Sequence, residues 1–179
     1  KFNKVIIKEI KKKDPNIQLS LNKIKVKFDI KKIQVYLSTP KPQIIYSGIK
    51  IPIKEINLYT KLISILKSKK EINQITISLE KFSIKNIQKL ATRIKPSNFK
   101  NYLLNNLNEG EFEKILIDLN LGDNFIIDDY RLNGSIRKVN VKVLNDLLVE
   151  DVSLNFISDK NLTLINSLNA NYRGVSISN

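Results

Sequence analysis

Apolar and polar residues alternate with a period of two along most of this 179-residue chain. Successive side chains of an extended strand point to opposite faces, so the pattern predicts strands with one apolar and one polar face. Ile17, Leu19 and Leu21 open it, and Ile24, Val26, Phe28 and Ile30 repeat it one step out of phase. That slip predicts a half-buried strand pair with a turn or bulge at Asn22–Lys23. Ile33, Val35 and Leu37 carry the alternation to Pro40 and Pro42, whose fixed φ and missing N–H end a strand, and Ile45 to Ile51 begins another. Later runs are longer: Ile115, Ile117, Leu119 and Leu121, then Tyr130, Leu132, Gly134 and Ile136, then Val139, Val141 and Val143 with the phase slipped again. Val152, Leu154 and Phe156 follow, and after the turn Ser158-Asp159-Lys160-Asn161 the chain ends in alternating apolar residues from Leu162 to Ile177.

Three segments break the period. Lys61 to Leu66 spaces its apolar residues helically, with Lys67, Lys69 and Lys70 where cations favour a helix C-terminus, which predicts a short helix near 60–67. From Ser83, a good N-cap, the residues Ile84, Ile87, Leu90, Ala91 and Ile94 form one helical stripe stopped by Pro96. Ser97 caps a further helix through Phe99, Leu103 and Leu107, closed near Gly110. The expected organisation is therefore an N-terminal β region over 1–83, a helical insert over 84–109 and a C-terminal β meander over 110–179, joined in one continuous domain of a longer protein. The expected fold class is mainly β with a minor α contribution: a long, curved antiparallel meander with two or three short helices. Roughly nine strands exceed what so little helix can cover. Either the sheet closes on itself as a sandwich or barrel, or part of its apolar face remains an open groove, and an open apolar groove implies a ligand or partner.

Composition narrows the chemistry. The chain has no His and no Cys, which excludes imidazole and thiolate metal sites, disulfides, Cys nucleophiles and Ser-His relays. The phosphate-loop, dinucleotide, serine-hydrolase and zincin fingerprints are all missing. Asp118-Leu119-Asn120-Leu121-Gly122-Asp123 with Asp129 resembles a calcium loop but lacks its sixth-position Gly and closing Glu, so it reads as a polar turn. Asp128-Asp129 and Glu150-Asp151 are the remaining acidic pairs of the kind glycosidases use, and nothing in the sequence brings them together. No catalytic residue, metal site or cofactor is expected.

Charge is lopsided. Residues 1–100 hold 24 basic and 6 acidic side chains, whereas 101–179 hold 7 basic and 11 acidic, out of a net +14. Codon bias towards Lys, Asn and Ile would raise the total but would not split it. Lys23, Lys25, Lys27, Lys31 and Lys32 fall largely on the polar side of alternating strands, where Lys protects against edge aggregation. Arg, the preferred fork for phosphates and bases, is nearly missing from the basic half, which argues against nucleic-acid readout.

The stretch Ile49-Lys50-Ile51-Pro52-Ile53-Lys54-Glu55-Ile56-Asn57-Leu58-Tyr59, followed by Lys61 to Ser68 and then Glu71 to Leu79, resembles the AsmA-like envelope proteins, in which a strand, a short Leu-rich turn, a basic turn and a further strand follow in that order. The hairpin pattern of Leu132 to Val143 and Val152 to Phe156 is similar to the repeating β-groove of the larger members. The resemblance implies a non-enzymatic periplasmic protein of a Gram-negative bacterium, anchored to the inner membrane by a segment outside this chain. Its sheet would shield the acyl chains of phospholipid or another lipid in transit, with no nucleic-acid partner. Ile115, Ile117, Leu119, Leu121, Leu132, Ile136, Val152, Leu154 and Phe156 are the expected groove residues, and Lys11, Lys12, Lys13, Lys67, Lys69 and Lys70 the expected contacts to anionic headgroups. A basic nucleic-acid-binding domain and a structural or adhesive β domain of a surface protein are the alternatives.

Overall fold

The computed structural model describes residues 15–30, 33–61, 72–93, 98–122, 126–143 and 147–179, together with Ile7 and Lys11. Nine strands form one antiparallel path. From edge to edge they are β2 (Lys25–Asp29), β3 (Gln34–Pro40), β6 (Ile53–Lys61), β7 (Gln74–Leu79), β10 (Glu111–Leu121), β11 (Ile127–Val143), β12 (Leu147–Asp159), β13 (Thr163–Tyr172) and β14 (Val175–Ser178). Two-residue strands β8 (Phe82–Ser83) and β9 (Leu107–Asn108) add to β10 and β11. A separate three-stranded sheet has the order β1 (Ile17–Ser20), β4 (Gln43–Tyr46), β5 (Ile49–Ile51). The expected mainly β, antiparallel fold with short helices is thus the observed one, and among the described residues no strand pairing closes the path into a barrel.

The N-terminal pairing differs from the expectation. β1 and β2 do not pair with each other: β1 joins β4 with Leu19 opposite Ile44, and β2 joins β3 with Val26 opposite Leu37. Residues 21–24 therefore carry the chain between two sheets instead of forming a hairpin turn. Pro40 and Pro42 have the complementary role, since they end β3 and turn the chain away, with Lys41 at φ 45° between them. Ser47 and Gly48, both at positive φ, then make the tight turn that joins β4 to β5, and Arg173-Gly174 repeats this device between β13 and β14. Residues 60–61 belong to strand β6, and the rest of the helix expected near 60–67 lies outside the described residues.

Helices α1 (Ile84–Ala91) and α2 (Asn98–Asn106) occupy the expected insert. Ser83 caps α1, its hydroxyl accepting from the Asn86 N–H at 3.4 Å. Gln88 ties α1 to the end of α2 by donating from Nε2 to the carbonyls of Leu103 (3.1 Å) and, just past that helix, Leu107 (2.7 Å). Ile84, Leu103, Leu107 and Val139 form the tightest apolar cluster described, with Ile87, Phe112, Ile136 and Val141 packed around it. The pair thereby seals one end of the sheet face built by β10 and β11.

Strands β10 to β13 each carry one non-glycine residue in the left-handed region: Lys114, Lys138, Asp151 and Ser167, at φ 49–54°. Register shifts accompany them, and all four lie between the levels of Gly134 and Asn140 on β11. A left-handed residue at a bulge adds an unpaired residue and sharpens the local twist. Four such residues on four neighbouring strands add to the local twist of this half of the sheet. The second phase slip in the sequence, before Val139, is the Lys138 member of this row.

Candidate lipid-binding groove

Residues directly opposite each other in an antiparallel pair share a face. The register therefore traces one apolar face across the sheet. Val26 lies opposite Leu37, Leu37 opposite Leu58, Leu58 opposite Ile75, Ile56 opposite Ile77, Ile77 opposite Ile117, and Ile117 opposite Leu132. It continues through Gly134 to Phe156 and from Phe156 to Ile165. Across the seven inter-strand gaps from β2 to β13, each about 4.8 Å, the face spans about 34 Å.

Its cover is incomplete. The small sheet lies over β3, β6 and β7, leaving an apolar cavity of about 210 Å³ between Leu19, Leu21, Ile24 and Ile44 on one side and Leu37, Ile56, Leu58, Ile75 and Ile77 on the other. Helices α1 and α2 cover the far end of β10 to β12. Between them and the sheet opens a larger cavity of about 590 Å³, walled by Leu132, Ile136, Val152, Leu154 and Phe156 with Leu103, Leu107, Phe112, Val139 and Val141. Beyond both covers the face meets solvent: Phe28 is 51% exposed at one edge and Ile165 55% exposed near the other.

Gly134 shapes the larger cavity. A Cβ there would stand 2.8 Å from Phe156 Cζ, so glycine alone lets the ring lie flat across β11. The ring then meets Phe112 edge to face, with centroids 6.2 Å apart at 86°. Gly110, at φ 76°, is equally constrained, because a Cβ would come within 2.5 Å of a Val139 methyl. Both glycines serve the junction of helix pair and sheet.

The opposite face is polar and cross-linked. Ser38, fully buried, donates to Glu55 Oε1 at 2.5 Å, and Lys27 reaches the same oxygen at 3.3 Å. The Ser38 hydroxyl, with Lys27 behind it, holds the Glu55 carboxyl below its ordinary 4.5 despite partial burial. Thr76 donates to Asp118 at 2.6 Å, and Ser135 and Arg137 both donate to Asn155 Oδ1 at 2.8 Å. Tyr36 stacks on Tyr59 at 4.9 Å, with Lys27 over the Tyr36 ring. Burial, followed by the nearness of Tyr36, pushes the Tyr59 hydroxyl above 10. These side chains satisfy one another laterally, which is the behaviour of an outer surface.

Five expected groove residues, Leu132, Ile136, Val152, Leu154 and Phe156, come together around the larger cavity. Four do not. Ile115 is buried beside the Gly134–Phe156 contact, Ile117 and Leu119 are half-buried on the strip between the two cavities, and Leu121 ends β10 opposite Ile127. Leu103, Leu107 and Phe112, which complete the wall, escaped sequence reading because helix and strand meet there only in three dimensions. Lys11 is exposed; Lys12, Lys13, Lys67, Lys69 and Lys70 lie outside the described residues.

The acidic pairs are far apart. Asp129 lies at one end of β11 and Asp151 beside Asn140 near the other, about 35 Å away, beyond the reach two glycosidase carboxylates need. Asp118 is engaged by Thr76, and among the described residues no cluster of three metal-ligating side chains occurs. No protein family, curated protein or solved structure matches the chain.

Proposed function

We propose that this chain is a non-enzymatic lipid-binding protein of the AsmA-like kind, holding acyl chains of phospholipid or another lipid against its sheet for intermembrane transport or outer-membrane maintenance. The observation that supports this reading is the continuous apolar face, covered at two places and open elsewhere. Such a surface is costly in water and is stabilised by about 0.8 kcal/mol for each methylene it buries. On this reading the protein works in the periplasm of a Gram-negative bacterium, held to the inner membrane by a segment outside this chain. The Lys-rich half lies near anionic headgroups, each nearby Lys contributing about 1 kcal/mol. On this reading nucleic acid is not a partner: residues 1–100 carry a single Arg, and Lys25 and Lys27 stand along the edge strand β2.

Solvent extraction and native mass spectrometry of the purified protein test the proposal. Lipid is expected to co-purify and to reload from vesicles after extraction. A chain that emerges free of lipid and takes none from vesicles overturns it. An oligonucleotide titration whose affinity falls steeply between two salt concentrations would favour the nucleic-acid alternative.

A further inference from the structure

Edge strand β2 carries the apolar row of the sheet out from under its lid. The wall of the smaller cavity includes Leu37 on β3, whereas Val26, opposite Leu37 on the outer strand, is 72% exposed. Phe28, opposite Val35, is 51% exposed; Ile30, next after β2, and Ile33, just before β3, are 80% and 64% exposed. Single exposed apolar residues are ordinary on a protein surface, but four bulky ones on one hairpin mark a place of contact. Lys25 and Lys27 alternate with them and belong to the other face, opposite Ser38 and Tyr36. Lys27 is held there by Glu55 at 3.3 Å and by the Tyr36 ring, while Lys25 is exposed. The surrounding sequence is strongly basic: residues 1–61, which end with β6, hold 15 basic and 4 acidic side chains.

We infer that the β2 edge docks on an anionic phospholipid bilayer, with Val26, Phe28, Ile30 and Ile33 entering the boundary between headgroups and acyl chains and Lys25 among the phosphates. The inference rests on the reading that the Lys-rich half lies near anionic headgroups, and it names the surface that meets them. An extended strand with apolar residues on one side and lysines on the other is the β counterpart of an interfacial amphipathic helix, whose affinity combines buried apolar area with attraction to anionic lipid. A lysine stem lies along apolar surface while its ammonium stays at headgroup level. Charge argues against a second copy as the occupant, because pairing two β2 edges would set Lys25 and Lys27 against the same lysines. Nucleic acid would satisfy the lysines and leave four apolar side chains in water.

The purified chain is sedimented with phosphatidylcholine vesicles, with and without phosphatidylglycerol. Binding should be tighter to the anionic vesicles and weaken as salt rises. Lys25→Gln should weaken it about fivefold on anionic vesicles alone. Val26→Thr/Ile30→Ser, two changes at the surface, should weaken it at least about tenfold while the lipid that co-purifies in native mass spectra stays the same. The chain has no Cys, so Ile30→Cys carrying a polarity-sensitive dye reports insertion directly: its emission should shift to the blue on anionic vesicles, and that of Ser176→Cys on β14 should not. Co-purified lipid without sedimentation on anionic vesicles overturns this inference and leaves the lipid-binding reading standing, whereas failure of both overturns both. Sedimentation with no shift at position 30, or unaffected by Val26→Thr/Ile30→Ser, places the contact elsewhere and overturns the assignment. Binding to polyglutamate as tight as to anionic vesicles would put an acidic protein in place of the bilayer.

Discussion

Strands β2, β3, β6 and β7 share one apolar face with strands β10 to β14, yet the two groups are finished in different ways. The first group lies under a second sheet, and its left-handed residues at Ile33, Lys41 and Ser47 fall in turns. The second group lies under two helices at one end, and besides Arg173 in the β13–β14 turn it has four left-handed residues, Lys114, Lys138, Asp151 and Ser167, within strands. The cavity under the sheet lid measures about 210 Å³, and the one beside the helix pair about 590 Å³. One apolar face is thus covered by a sheet in one half and by helices at one end of the other.

Removing the helix anchor should break the difference most strongly. Ile84 on α1 is fully buried against Leu103, Leu107 and Val139, so Ile84→Ala should cost about 2–5 kcal/mol by urea denaturation and leave a void beneath the helices. A loss below 1 kcal/mol would mean that the helices do not hold the cover in place. Gly134→Val is next. It drives a side chain into the Phe156 ring and should cost about 1–3 kcal/mol while shrinking the larger cavity, leaving the smaller one intact. An unchanged melting temperature together with unchanged lipid capacity would count against the glycine's role.

The smallest effect belongs to the polar face of the first group. The Glu55 carboxyl is held below its ordinary 4.5 first by the Ser38 hydroxyl and then by Lys27, so its contribution is fully present above pH 4.5 and is lost as pH falls through the folded value. Glu55→Gln should therefore lower stability by about 0.5–1 kcal/mol at pH 7, screening included, and by progressively less below pH 4.5. A constant difference across that window would remove Glu55 as the source. Asp159, in the second group, is lowered by the backbone N–H groups of Asn161 and Leu162 and titrates in the same direction, which is why the comparison needs the variant as well as the pH series.

Much of the fold was legible. Alternation located the long strands, Ser83 marked the start of α1, and Asp159 made the expected turn by accepting the N–H groups of Asn161 and Leu162 at 2.8 and 2.9 Å. The error at β1 and β2 has a simple cause. A phase slip between two alternating runs looks the same whether the chain turns back as a hairpin or crosses to another sheet. At the site, the strand residues Leu132 to Phe156 were recovered because period two identifies a face. The wall supplied by Leu103, Leu107 and Phe112 was not, because contact between a helix and a distant strand leaves no trace in local spacing. The Gly134–Phe156 fit was equally hidden, since it depends on which residue of β12 lies opposite which of β11.

Local periodicity, proline placement and the absence of His and Cys were enough to dictate a β-rich chain with a continuous apolar row and no imidazole or thiolate chemistry. Tertiary pairing decided everything that depends on who faces whom: the diversion of β1, β4 and β5 into a lid, the bulges on four neighbouring strands, the packing of the helix pair on Val139 and the pairing of Ser158 with Thr163. The physical reason is the range of the forces involved. Backbone preference and side-chain alternation act between neighbours along the chain, whereas burial acts between surfaces that meet only after folding.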